Sequence, residues 1–273
     1  MDRYGDKVMS SPLPGDTWRT RHDEVKSAIN GLCSWSHLQA TCEVFNLFAH
    51  LVPQEGLNRM ERGRTRQTMV PDFRLAVSHP VLGIQRRLAE LKVINCCSSR
   101  YQVGETQKGV DKRARLLQGE YRRKARNVDR EFVGTPEGEV GPVERRLNEY
   151  GDIIGLVVGS WGEGSEDLHN LVQMLAEARV TSQCLARGLP ATQADLGSVI
   201  GQVRRRLSVA SVRANANCLL ARLSLLGEGA KQAQHRRQSQ AWEEEKMRRE
   251  LQANWVGRVR HHGVAHRGAF FLM

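Results

Sequence analysis

An α/β fold follows from three observations on this chain. Phe73, Leu75 and Val77 alternate with Asp72 and Arg74, and after a Pro/Gly break Leu88 to Ile94 forms a second extended run. A 3.6-residue stripe of Ala114, Leu117, Tyr121, Ala125, Val128 and Phe132 marks a long amphipathic helix. Ile153 to Val158 is then a near-continuous apolar run, the pattern of a strand covered on both faces.

The elements follow in order. Residues 1–17 are short, polar and rich in Pro, Gly and Ser, the composition of a disordered N-terminus. From His22 the apolar positions Val25, Ala28, Ile29, Leu32 and Trp35 or Ser36 recur at helical spacing and predict a helix over 22–36. Thr41 to Phe48 is rich in strand formers and reads as the first strand, with a helical continuation to Val52 before Pro53 as the alternative. Residues 54–68, carrying Arg59, Arg62, Arg64 and Arg66, read as a basic connection.

The Asp72 and Glu90 strands come next, joined by Ser78 to Gly83 as a hairpin turn. A polar loop over 98–111 leads to the amphipathic helix, whose other face is lined by Lys and Arg. A Gly/Pro/Glu loop and a short polar helix precede the apolar strand. The last hundred residues predict helices from Ser165 to Arg187, Thr192 to Leu226 and Lys231 to Val259, punctuated by Gly188, Pro190 and Gly227 to Gly229. The expected organisation is a disordered segment 1–17, a core 18–161, a helical extension 162–260 and a flexible, His-rich tail 261–273.

The formal net charge is +11 and the pI near 9.8. Such a balance points to a polyanionic partner, with nucleic acid first and an acidic membrane surface second; an Arg-rich soluble surface is the plain alternative. The six cysteines have no framework spacing, and no apolar run is long enough to span a bilayer. A nuclear or cytoplasmic protein with reduced thiols and no membrane association is expected. Cys33, His37, Cys42 and His50 have zinc-like residue types, but buried thiols on a helix stripe and a strand are ordinary. Gly155, Gly159, Gly162 and Gly164 lack the Lys-Ser/Thr of a phosphate loop, which excludes that nucleotide site.

The chemistry concentrates at Asp72, Glu90 and Lys92. Period-two alternation puts Glu90 and Lys92 on one face of a strand, beside the strand that carries Asp72. Two carboxylates at the edge of a sheet form a hard oxygen site for Mg²⁺ (or Mn²⁺), and a neighbouring lysine can hold a water, the equipment of metal-assisted phosphodiester hydrolysis. Pro71-Asp72, seventeen residues, then Glu90-Leu91-Lys92, set in the order helix, three strands, helix, strand, resembles the PD-(D/E)xK nuclease superfamily from about His22 to Ser160.

The resemblance implies a restriction-endonuclease-like core followed by a long-helix C-terminal extension. It also implies a Mg²⁺-dependent endonuclease that leaves 5′-phosphate and 3′-hydroxyl ends. Asp72 and Glu90 would ligate the metal, with the Leu91 carbonyl as a further ligand, and Lys92 would orient the attacking water. Glu43, or else Glu24, is the accessory metal-site candidate, against the alternative of an outward-facing strand glutamate. Gln118, three residues before Tyr121, matches the family's helix position less closely, being one residue short.

Arg64 and Arg66, together with Arg115, Arg122, Arg123 and Lys124 on the basic helix, are candidates for holding a DNA backbone, with RNA second. They are equally readable as a solvated face. Arg21 to Lys26, Val70 to Phe73, Gly119 to Ala125 and Gly162 to His169 are similar in texture to reading frames of animal mobile genetic elements, retrotransposon-associated ones included. That likeness keeps a second reading in view: an inactive nucleic-acid-binding or assembly module of a decayed element, its long helices mediating self-association.

Overall fold

A computed structural model describes residues 17–62, 68–79, 83–94, 106–159 and 162–227. Of these, 17–219 form one compact unit and 220–227 belong to a second. Helix α1 spans Thr17–Trp35, strand β1 Ala40–Cys42, α2 Gln54–Glu61, β2 Phe73–His79 and β3 Gly83–Val93. Helix α3, Thr106–Val128, runs into a π-helical turn at Asp129–Val133. Then come α4 Pro142–Asn148, β4 Ile154–Val158, α5 Glu166–Arg187 and α6 Gln193–Gly227.

The fold is mixed α/β. A four-stranded sheet has the order β1-β2-β3-β4, antiparallel except for the parallel β3–β4 pair. Parallel pairing needs a crossover, and α3 with α4 supplies it. Alternation sorts the side chains onto two faces. Phe73, Leu75, Ala89, Leu91 and Leu156 join α1, α5 and α6 in one core. Leu88 joins Tyr121, Ala125, Val128, Val143 and Leu147 from α3 and α4 in the other. Leu171, Leu175 and Val203 are therefore core residues of the same body as α1. The expected boundary at 161/162 falls inside this core, so α5 and α6 up to Leu219 are not an appended extension.

The outer edge of β4 is closed by side chains of the α5 N-terminus. Ser165 Oγ donates to the Gly155 carbonyl at 2.6 Å and accepts from Val157 N–H at 3.0 Å, while Asp167 Oδ2 accepts from Gly155 N–H at 2.7 Å. These bonds satisfy an edge that would otherwise be free to pair with another strand.

Three local expectations are corrected. The first strand ends at Cys42, not Phe48, because Glu43, Asn46 and His50 take left-handed φ of 52°, 57° and 68°, which turns the chain. The connection 54–68 contains α2, which starts directly after Pro53 and buries Leu57 and Met60. Helix α3 begins at Thr106, inside the expected loop. The disordered N-terminus, the hairpin turn at 80–82, the helix from Lys231 and the tail lie outside the described residues, as do Arg64 and Arg66. No described helix is long and apolar enough to cross a membrane.

Candidate active site

The β2–β3 register pairs Phe73 with Ala89. The ladder ends at that pair, and just beyond it a side-chain bond ties Asp72 to the next strand: Leu91 N–H donates to Asp72 Oδ2 at 2.9 Å. The Asp72 carbonyl accepts from Glu43 N–H at 2.9 Å, so the segment is tied to both neighbouring strands. Asp72 and Glu90 are both buried for carboxylates, at 9% and 8% exposure. Charges so placed need partners.

Each carboxylate has cationic or hydroxyl company. Lys92 Nζ donates to Glu90 Oε1. Tyr121, itself buried on α3, donates its hydroxyl to Glu90 Oε2 at 2.7 Å. From α1, His22 Nε2 approaches Asp72 Oδ2 at 3.3 Å and Lys26 Nζ approaches Asp72 Oδ1 at 3.5 Å. Lys92 is thus paired with Glu90, Asp72 is bonded to the backbone between them, and three groups that were not singled out contact these carboxylates: His22 and Lys26 on Asp72, and Tyr121 on Glu90. His22 and Lys26 are spaced i,i+4 along the border of the Val25/Ile29/Leu32 stripe, and that spacing was the available signal.

Protonation follows this company. Burial alone would raise the pKa of Asp72, but the His22 bond and charge, the Leu91 N–H and the Lys92 charge together hold it below the ordinary carboxylate value. Burial would lower His22, yet Asp72 raises it above 6.5. Lys26, likewise depressed by burial, ends raised by Glu43 and Asp72. Burial and the Glu90 charge push the Tyr121 phenol well above its usual value, so it stays a donor.

Of the accessory candidates, Glu43 joins the rim of this cluster, and Glu24 and Gln118 make their bonds elsewhere. Glu43 sits one residue past β1 with its carboxylate 2.8 Å from Lys26 Nζ and half exposed, so it reaches Asp72 only through that lysine. Glu24 accepts from Asn217 Nδ2 of α6 at 3.0 Å. Gln118 accepts from Ile153 N–H at 2.5 Å, which fastens α3 to the start of β4. On the basic helix, Lys124 turns inward, donating to the Thr68 carbonyl at 2.8 Å with its ammonium 5.4 Å from the Tyr121 ring centroid; burial lowers its pKa. Arg122 pairs with Asp152 at 3.1 Å, while Arg115 and Arg123 are exposed. Cys33, His37, Cys42 and His50 do not gather as ligands among the described residues. Burial, with Cys42 nearby, raises the Cys33 thiol to about 12, the state of an inert core cysteine.

Tyr121→Phe tests the outer bond of this set. It leaves a buried Glu90 oxygen without its donor, and bonds to charged groups contribute about 1.5–3 kcal/mol. The urea midpoint should fall accordingly at unchanged slope; a midpoint equal to wild type would show that Glu90 does not depend on Tyr121.

No protein-family model, curated protein or solved structure matches the chain.

Proposed function

We propose that the chain is a metal-dependent nuclease of the PD-(D/E)xK type, hydrolysing phosphodiester bonds in DNA at Asp72, Glu90 and Lys92. The observation that carries this reading is the Leu91 N–H to Asp72 bond, which holds Asp72 against the Glu90-Leu91-Lys92 strand. The element order α1, β1, β2, β3, α3, β4 supports a restriction-endonuclease-like core, and the net charge of +11 suits a polyanionic substrate.

The donor atoms suit a hard divalent ion. Asp72 Oδ2 and the Leu91 carbonyl each lie 3.3 Å from one point, the His22 ring nitrogen Nε2. Both are hard oxygen donors of the kind that Mg²⁺ takes. Asp72, Glu90 and the Leu91 carbonyl would hold the ion, with His22 at its edge. Among the described residues no group of three His, Cys, Asp or Glu side chains is arranged to hold a metal ion. Mg²⁺ held by one or two carboxylates ordinarily keeps several waters. A bound ion supplies Lewis-acid stabilisation and a water of lowered pKa.

The chain's own groups do the rest. Lys92 is about one-third exposed, so its ammonium can leave Glu90 to hold a water or a phosphate oxygen. Tyr121 keeps Glu90 in place while Lys92 moves. His22 and Lys26 offset the charge of Asp72.

One observation favours a second reading. Asp72 is already met by His22 and Lys26, and Glu90 by Lys92 and Tyr121, so the cluster is satisfied as a purely structural network. A nucleic-acid-binding module without hydrolysis would need no more. Plasmid nicking with Mg²⁺ or Mn²⁺ separates the two. Wild type should nick supercoiled DNA, and Asp72→Ala and Lys92→Ala should not. No cleavage by wild type with retained binding selects the second reading, and equal cleavage by all three proteins means another site or a contaminant.

A further inference from the structure

The last turn of α1 carries Trp35, and two arginines from other helices converge on its ring. The guanidinium of Arg179 on α5 lies 4.7 Å from the ring centroid, and that of Arg206 on α6 lies 4.4 Å away. Arg179 also donates to the Trp35 carbonyl at 3.1 Å and approaches His37 Nε2 at 3.3 Å. Like charges brought to one ring normally share a carboxylate, but among the described residues neither arginine has one. Arg179 Nε is buried without a hydrogen-bond partner.

Arg213 extends the charge. It is exposed two helical turns beyond Arg206 on the same face of α6, about 10 Å along the axis, and no Asp or Glu occurs between Leu196 and Leu219. Guanidinium groups held on an aromatic ring have already lost much of their rotamer freedom, and their planar donor fork matches phosphate oxygens. A charge distribution this long fits a chain of phosphates better than a single one. The Trp35 ring, already carrying two guanidinium groups, is not free to stack on bases, which favours the backbone of a duplex over a single strand.

We infer that the surface around Trp35, Arg206 and Arg213 is a contact for the phosphate backbone of duplex nucleic acid. It lies about 20 Å along α1 from His22. It reads no sequence and takes no part in cleavage, and it does not depend on the nuclease reading.

The test is fluorescence anisotropy with a short labelled duplex in EDTA across a salt series. Each lost phosphate contact should reduce the slope of log affinity against log salt by about one. Arg206→Ala should therefore bind several-fold more weakly at low salt with a shallower slope, and Arg206→Ala/Arg213→Ala should lose about two in slope. Arg213 touches no ring, so Arg213→Ala alone keeps the comparison valid if Arg206→Ala lowers the melting temperature. Wild-type affinity and slope in the double variant would overturn the inference. So would a wild type that fails to bind the duplex, or one that binds anionic vesicles in its place. Because binding is read without metal, a protein that binds here but never nicks DNA defeats the nuclease reading and leaves this one standing.

Discussion

Asp72→Asn should cut DNA cleavage at least about a hundredfold, a loss of roughly 2.7 kcal/mol or more of barrier stabilisation, while the protein stays folded. The amide is nearly the same shape as the carboxylate and keeps an oxygen to accept from Leu91 N–H, so the strand register survives. What disappears is the negative charge that faces His22 and Lys26. The expected cost to stability is about 1–3 kcal/mol, the range for a charged hydrogen bond lost from a partly buried site.

The pH dependence of that cost identifies the pair responsible. Asp72 has a folded-state pKa below 3.8, so its contribution is present above pH 3.8 and is lost as pH falls through the folded value. His22 has a folded-state pKa above 6.5, so its contribution is complete below pH 6.5 and is lost as pH rises through the raised value. The two windows overlap between about pH 4 and 6.5. The Asn variant's deficit in urea unfolding should be largest there and smaller at pH 9, where the His22 contribution is gone and those of Lys26, Lys92 and the Leu91 N–H remain. A deficit that grows toward pH 9 would show that the His22 contact contributes nothing. Cleavage equal to wild type would remove Asp72 from the chemistry altogether.

What could be read from the sequence depended on how far each feature relies on partners distant in the chain. The alternation of Phe73, Leu75 and Val77 against Asp72 and Arg74 is a local property of strands, and the observed pairing of β2 with β3 follows it, with Asp72 bonded to the Leu91 N–H just past the ladder's end. The stripe from Ala114 to Val128 was equally local, and it buried Tyr121 and Ala125 as the period requires. By contrast, the strand expected over Thr41 to Phe48 stops at Cys42, because left-handed φ at Glu43, Asn46 and His50 overrides strand propensity. Helix α2 offers only Leu57 and Met60 to the core within eight residues, too short a pattern to separate from a polar connection.

The site shows the same division. Glu90 and Lys92 share a face by periodicity alone. That His22 and Lys26 close on Asp72 depends on how α1 crosses the sheet, and the contact joins residues about fifty positions apart. The merging of α5 and α6 into the main core depends likewise on Val180, Val203 and Leu207 finding Val25 and Ile29. An amphipathic helix announces that it has a partner face, not whose it is.

Gly141→Ala should cost about 3 kcal/mol or more, although it adds a single methyl group. The added carbon would fall 2.3 Å from Asp129 Cγ and 2.5 Å from Asp129 Oδ2. Gly141 is the residue before α4, where a Ser, Thr or Asp would ordinarily cap the helix, and it has no side chain with which to do so. The π-helical turn brings Asp129 into that place instead: its two carboxylate oxygens accept from Val143 N–H and Glu144 N–H, each at 2.9 Å. Asp129 is 1% exposed, so it cannot swing into water without opening the core.

Displacing Asp129 leaves two buried N–H groups unpaired, at about 1–3 kcal/mol each. It also loosens α4, whose Glu144 holds Arg126 of α3 at 2.8 Å. Because Tyr121 is anchored on that same helix, the damage should reach Glu90 as well. Gly119→Ala is the control: nothing lies within 4 Å of its added carbon, it sits inside α3, and alanine there should stabilise the protein by up to about 1 kcal/mol. Urea midpoints moving in opposite directions for the two variants would establish that Asp129 caps α4 across the loop. Equal midpoints would mean that α4 holds without it.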